Sequence, residues 1–114
     1  MANKSILVDL GVYLADNNVR RNIADFRVNS GSIDSAVAQV DTNVLPAGSY
    51  SFTGVPNNVL TVVRTTKPLV ANVNQGSTSF AMTVNSLLVL TDEIAGITFQ
   101  NDGTDPAQLL VIQC

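Results

Sequence analysis

From Leu60 to Cys114 the chain reads LTVVRTTKPLVANVNQGSTSFAMTVNSLLVLTDEIAGITFQNDGTDPAQLLVIQC, a series of short apolar runs, each cut off by turn-forming residues. Turn signals at this close, regular spacing suit a β-sandwich or barrel. Within the runs the apolar residues keep a period of two. Leu69, Ala71 and Val73 fall in phase, and Phe80, Met82 and Val84 alternate with Ser79, Ala81 and Thr83. Ile97 and Phe99 share a parity in a later run. Successive side chains of a strand point to opposite faces, so each set marks the buried side of a half-buried strand. Leu87–Leu90 and Leu109–Ile112 are apolar on both parities, which predicts central strands covered on both faces. Lys67-Pro68 interrupts one strand, because proline removes a ladder donor. Asn74-Gln75-Gly76 turns the chain, and Asn101-Asp102-Gly103 reads as a hairpin turn.

The first half is less regular. Ile6, Val8, Leu10, Val12 and Leu14 alternate with Asp9, Gly11 and Tyr13 in a half-buried strand, which a turn at Asp16-Asn17-Asn18 follows. Residues 17–28 allow two readings. Val19, Ile23 and Phe26 fit a helical stripe capped by Asn17 or Asn18, whereas Ala24, Phe26 and Val28 fit a strand. Ile33–Val40 reads as a further strand. Pro46-Ala47-Gly48 suits a tight turn, and Tyr50 and Phe52 share one side of a short strand that Gly54, Pro56, Asn57 and Asn58 end. The expectation is an all-β protein of about eight or nine strands. An antiparallel β-sandwich or barrel-like domain would occupy residues 46–114, with an N-terminal arm or strands over residues 1–45 contacting partners.

A chain of 114 residues has room for one domain and an added arm. Its net charge of −3 argues against a nucleic-acid or anionic-membrane partner, since only Arg20 and Arg21 of its six basic residues are adjacent. No stretch approaches the ~20 apolar residues of a membrane helix. The opening MANKSILVDL, broken by Asp9, does not read as a secretory signal, so synthesis in the cytoplasm is expected. Charged residues make up 13% of the chain, well under the roughly 25% usual in soluble domains. Either a partner covers part of the surface or Asn, Thr and Ser furnish it.

Few residues suggest chemistry. The absence of histidine excludes a His-dependent triad and leaves the one cysteine, Cys114, without an activating imidazole or an internal disulfide partner. There is no nucleophile elbow and no phosphate-cradling glycine loop. Asp92 and Glu93 are adjacent, and neighbouring carboxylates point in different directions rather than flanking one bond. Asn101–Asp105 offers oxygen ligands at alternating positions that could hold a hard cation such as calcium, but it lacks the distal glutamate of an EF-hand loop, and a solvated turn is the plainer reading. Tyr13, Tyr50 and Phe52 could form a carbohydrate-stacking platform or serve the core. No catalytic, cofactor-binding or metal-binding residue is expected.

The run LTVVRTTKPLVANV, followed by FAMTVNSLLVLTDEIAGITFQNDGTDPAQLLVIQC, resembles the C-terminal β-domains of small virion structural proteins of tailed bacteriophages, of the capsid decoration or cement type. The resemblance implies a non-enzymatic role in the virion, binding and stabilising the shell. Its partners would be the major capsid protein or other virion proteins, and it would act as a homo-oligomer, with a trimer favoured. A tail or baseplate component is the alternative, and a sugar- or calcium-binding β-module is the reading from a different class.

Overall fold

The computed structural model describes residues 7–16, 19–29 and 37–114, and among these it contains ten β-strands and no helix. The chain divides into two compact units, Met1–Asp34 and Ser35–Cys114.

The first unit is an antiparallel pair, β1 (Leu7–Asp16) and β2 (Val19–Asn29). The strand reading of residues 17–28 therefore holds from Val19 onward. Pairing runs from Leu7 opposite Asn29 to Asp16 opposite Val19, so β1 takes up the main-chain groups that a helix would satisfy internally. The register slips between Val12 and Tyr13, where Val12 faces Ala24 but Tyr13 faces Asn22. Ile23 is thus the extra residue of a β-bulge. Val8 and Leu10 are half-buried, while Leu7, Asp9, Gly11 and Tyr13 are exposed, as the alternation predicts. Ile6, the turn at Asn17-Asn18 and the start of the run Ile33–Val40 lie outside the described residues.

The second unit holds β3 (Ala38–Val44), β4 (Ser49–Thr53), β5 (Thr61–Thr65), β6 (Leu69–Asn74), β7 (Ser79–Val84), β8 (Leu87–Leu90), β9 (Gly96–Gln100) and β10 (Ala107–Gln113). They form two four-stranded sheets, ordered β3-β10-β5-β8 and β4-β9-β6-β7, with every pair antiparallel. Every connection crosses between the sheets except β6–β7, which is a hairpin turned at Asn74–Gly76. There the Asn74 side chain accepts from the Gly76 N–H at 2.9 Å, and Gly76 adopts a φ of 91°. This is the jelly-roll arrangement, an antiparallel β-sandwich.

Its core follows the parities read from sequence in β6 and β9, but only partly in β7, where Val84 is buried while Phe80 is exposed. Leu69, Ala71 and Val73 of β6 and Ile97 and Phe99 of β9 pack with Val63 of β5 and Leu109 and Val111 of β10, all buried. Phe52 joins them, with Tyr50 packed against the cluster.

Three further expectations need correction. The sandwich does not begin at residue 46, because β3 pairs along its whole length with β10 and the units divide between Asp34 and Ser35. Asn101-Asp102-Gly103 is not a hairpin turn, because β9 and β10 lie in different sheets and the loop bridges them. Leu109–Ile112 is central, between β3 and β5, but Leu87–Leu90 is not: β8 forms the edge of its sheet. A strand apolar on both parities can be covered on both sides or left open at an edge, and its sequence is the same in either place.

Where β4 leaves its sheet, the Gly54 N–H donates to the Ala95 carbonyl at 2.8 Å. A Cβ at Gly54 would collide with the main-chain oxygen of Ile94. Gly54→Ala is expected to destabilise the fold by about 1–3 kcal/mol, measurable by urea denaturation.

Candidate functional site

A site would be sought first among polar side chains taken out of water. Five are buried among the described residues: Asn58, Thr61, Thr65, Asn101 and Gln113. Asn58 Nδ2 donates to the Val55 and Ile94 carbonyls, each at 2.7 Å, and its Oδ1 accepts from the Ile94 N–H at 2.9 Å. Gln113 Nε2 donates to Thr61 Oγ1 at 2.8 Å, while its Oε1 accepts from the Val55 N–H at 2.7 Å. Thr65 Oγ1 donates to the Lys67 carbonyl at 2.7 Å. Among the described residues no buried side-chain polar atom lacks a partner. These groups fasten loops to the sheets, and none is left over for a ligand.

Asn101, the leading cation-ligand candidate, is fully buried. Its Nδ2 donates to the Val44 carbonyl at 2.9 Å and to the Asp105 carbonyl at 2.8 Å, and its Oδ1 accepts from the Gly103 N–H at 2.9 Å. Its main chain also clasps the turn at Leu45–Gly48, accepting from Ala47 and donating to Gly48. Asp102 is exposed and accepts from Gln100 Nε2 at 2.8 Å. No cluster of three or more metal-ligating acids, cysteines or histidines occurs among the described residues. The loop is held together by its asparagine. A hollow of about 370 Å³ lies beside it, with Lys67, Pro68, Val70, Asp102 and Asp105 in its lining. Asn101→Ala is expected to cost about 2–3 kcal/mol through the carbonyls and N–H left unpaired. Calcium should not move the wild-type melting temperature, and a calcium-dependent rise would restore the cation reading.

The other candidates are taken up one by one, in a connection, the core or the hairpin. Asp92 and Glu93 are exposed in the β8–β9 connection. Cys114 is buried, its main chain bonded to Val59 and Leu60. Phe52 belongs to the core, and the half-buried Tyr50 packs against it. Tyr13 belongs to the hairpin unit, where the Arg20 guanidinium sits 5.0 Å above its ring. Arg20 is therefore engaged with an aromatic ring rather than forming a basic patch with Arg21. Asn58 was missed by sequence reasoning. As the end of a Pro-Asn-Asn turn signal it looks like a solvated loop residue, and no local pattern marks it as buried.

What remains is surface. On the exposed parity of the hairpin, Arg27 Nε donates to Asp9 Oδ1 at 2.7 Å across the strand pair. That hydrogen bond, with the carboxylate's charge, raises the guanidinium's pKa above its already high value. The pair is open to solvent and orders the side chains more than it stabilises the unit. On the other parity Val8 lies opposite Val28 in register, and Leu10 opposite Phe26. In the sandwich, Leu87 of β8 is 45% exposed and Phe80 of β7 is 41% exposed, both on edge strands.

No protein-family model matches the chain, and no curated protein matches it in sequence. Solved structures do. Peruvianin-I, a cysteine peptidase from Thevetia peruviana latex, superposes with a TM-score of 0.53 at 16% identity, over 68% of this chain and 49% of that one. Oxalate oxidase in complex with the substrate analogue glycolate gives a TM-score of 0.52 at 13% identity, over 68% of this chain and 41% of that one. The likeness is one of fold. The match takes in about half or less of the length of these two proteins, and it agrees with the jelly-roll topology of the second unit.

Proposed function

We propose that the protein is a non-enzymatic structural component of a tailed-phage virion, a capsid decoration or cement protein that binds and stabilises the shell. The observation that carries this reading is the separate hairpin unit of β1 and β2. A two-stranded sheet by itself is marginal in water, and the alternation of β1 gives one parity an apolar character suited to burial against another surface. In this reading shell subunits supply that surface, and the jelly roll makes the outward contact. Binding only the assembled shell would stabilise it by mass action. Jelly rolls recur among viral capsid and lectin domains, although a fold by itself does not assign a function. The activities of oxalate oxidase and Peruvianin-I are those proteins' own. Here the single thiol is buried, and among the described residues every buried side-chain polar atom is hydrogen-bonded within the protein, which favours a structural role.

Particles carrying and lacking the protein should differ in survival on heating and osmotic shock, with the decorated particles surviving better. The full chain carrying Leu10→Asp should fail to bind or protect them. Equal survival would reject the cement role. A copy number matching the tail's axial symmetry, rather than the shell's subunit count, would move the protein to the tail or baseplate.

A further inference from the structure

We propose that β8 is a self-association edge, to which a second copy of this chain adds its own β8 antiparallel across a two-fold axis. The inference does not depend on the virion reading.

β8 pairs with β5 on one side only. The Thr65 N–H donates to the Ser86 carbonyl at 2.9 Å, which sets the phase of the ladder. Because hydrogen-bonded pairs alternate along an antiparallel ladder, Leu88 and Leu90 exchange their bonds with β5. Leu87 and Val89 therefore turn their N–H and C=O groups away from the sheet. Exposed edges are normally blunted by charge, proline or a bulge, and the sequence LLVL, paired with β5 in unbroken register, has none of these. The other edge strands place polar or small residues on their outward parity: Gln39, Asp41 and Asn43 on β3, Ser49, Ser51 and Thr53 on β4, and Ser79, Ala81 and Thr83 on β7. Among the edge strands of the sandwich only β8 is apolar on both parities, with Leu87 and Val89 outward and Leu88 and Leu90 packed against the core.

Charge identifies the occupant. Arg64 lies opposite Leu87 on β5, and Lys67 follows at the same end of the edge. Asp92 and Glu93 follow Leu90 at the other end. All four are exposed, and among the described residues none of them forms an ion pair. Antiparallel addition of a second copy brings the basic end of each copy toward the acidic end of the other, twice over, by symmetry. Parallel addition would bring like charges together. The register that pairs both outward residues of each β8 with those of the other sets Leu87 opposite Val89 of the second copy and Leu88 opposite its own equivalent on the axis. An isologous contact of this kind closes as a dimer.

Sedimentation of the full chain over a concentration series tests this. The expected result is a monomer–dimer equilibrium that weakens with added salt. Val89→Pro removes an outward N–H and no bond to β5, so it should raise the dissociation constant about tenfold or more with an unchanged circular dichroism spectrum. Leu87→Lys should act likewise, and serves if the proline variant fails to fold. Arg64→Glu should weaken the dimer, and adding Glu93→Arg should restore it. Under mild oxidation Leu88→Cys should give a covalent dimer, because opposed residues of a non-hydrogen-bonded pair lie about 4.5 Å apart. Leu87→Cys should cross-link far less, and the native thiol of Cys114 is buried. A wild-type chain that stays monomeric throughout would overturn the proposal. So would association that neither Val89→Pro nor Leu87→Lys alters, or cross-linking by Leu87→Cys as readily as by Leu88→Cys.

Discussion

Replacing Asn58 with alanine is expected to lower the stability of the sandwich by about 3–5 kcal/mol. The amide of Asn58 fills the loop after β4 and binds both main-chain groups of Ile94 as well as the Val55 carbonyl. Alanine removes all three partners and leaves the two carbonyls and the Ile94 N–H without a partner in a site that is 2% exposed. The full desolvation penalty then falls on the folded state. A single domain is stable by only about 5–15 kcal/mol, so this one change would remove a large part of the total. Urea denaturation should show a lower midpoint with an unchanged slope.

Asn58→Asp gives a sharper form of the test. A carboxylate could still accept from Ile94 N–H but would set a second oxygen against two carbonyls. Burial beside acceptors raises such a carboxyl above its unfolded value of about 3.9. The folded state then holds its proton to higher pH than the unfolded state does. The variant's stability is therefore greatest below the unfolded pKa and falls as pH rises through the folded one. Asn58→Ala has no titrating group at the site, so its deficit relative to wild type should not change with pH. If both variants lost the same stability at every pH, the amide's assigned role would be wrong.

Phe99→Ala is expected to cost about 3–5 kcal/mol. Phe99 is fully buried in β9, flanked in register by Tyr50 of β4 and Ala71 of β6. Among the described residues it is the largest fully buried side chain, and Ala71 beside it is too small to close the space left behind. Phe99→Leu keeps most of the volume and should cost less than about 1.5 kcal/mol. A small loss for the alanine variant would mean that the sheets collapse around the gap, which interlocked jelly-roll sheets resist.

These side chains also mark how far the sequence could be read. Phe99 and Ile97 declared their burial through parity, as did Leu69, Ala71 and Val73, because a strand's alternation is a local property written residue by residue. The turns at Pro46-Ala47-Gly48 and Asn74-Gln75-Gly76 were legible for the same reason: Gly48 N–H bonds Leu45, and Gly76 takes the positive φ its position needs. Asn58 and Asn101 were not legible. Each sits in a run of turn-formers, and burial comes to it from residues far along the chain, Ile94 in one case and Val44 in the other.

The sequence alone pointed to an all-β chain, with residues 17–28 open between strand and helix, and to the inward parity of most strands and the positions of most breaks between them. Only the tertiary structure decided which strands pair. It put β9 and β10 in different sheets despite a turn that looks like a hairpin, drew Ala38–Val44 into the sandwich, and left the doubly apolar β8 at an edge. The physical reason is that side-chain alternation records whether a face is buried, whereas pairing depends on main-chain hydrogen bonds that are the same for every sequence.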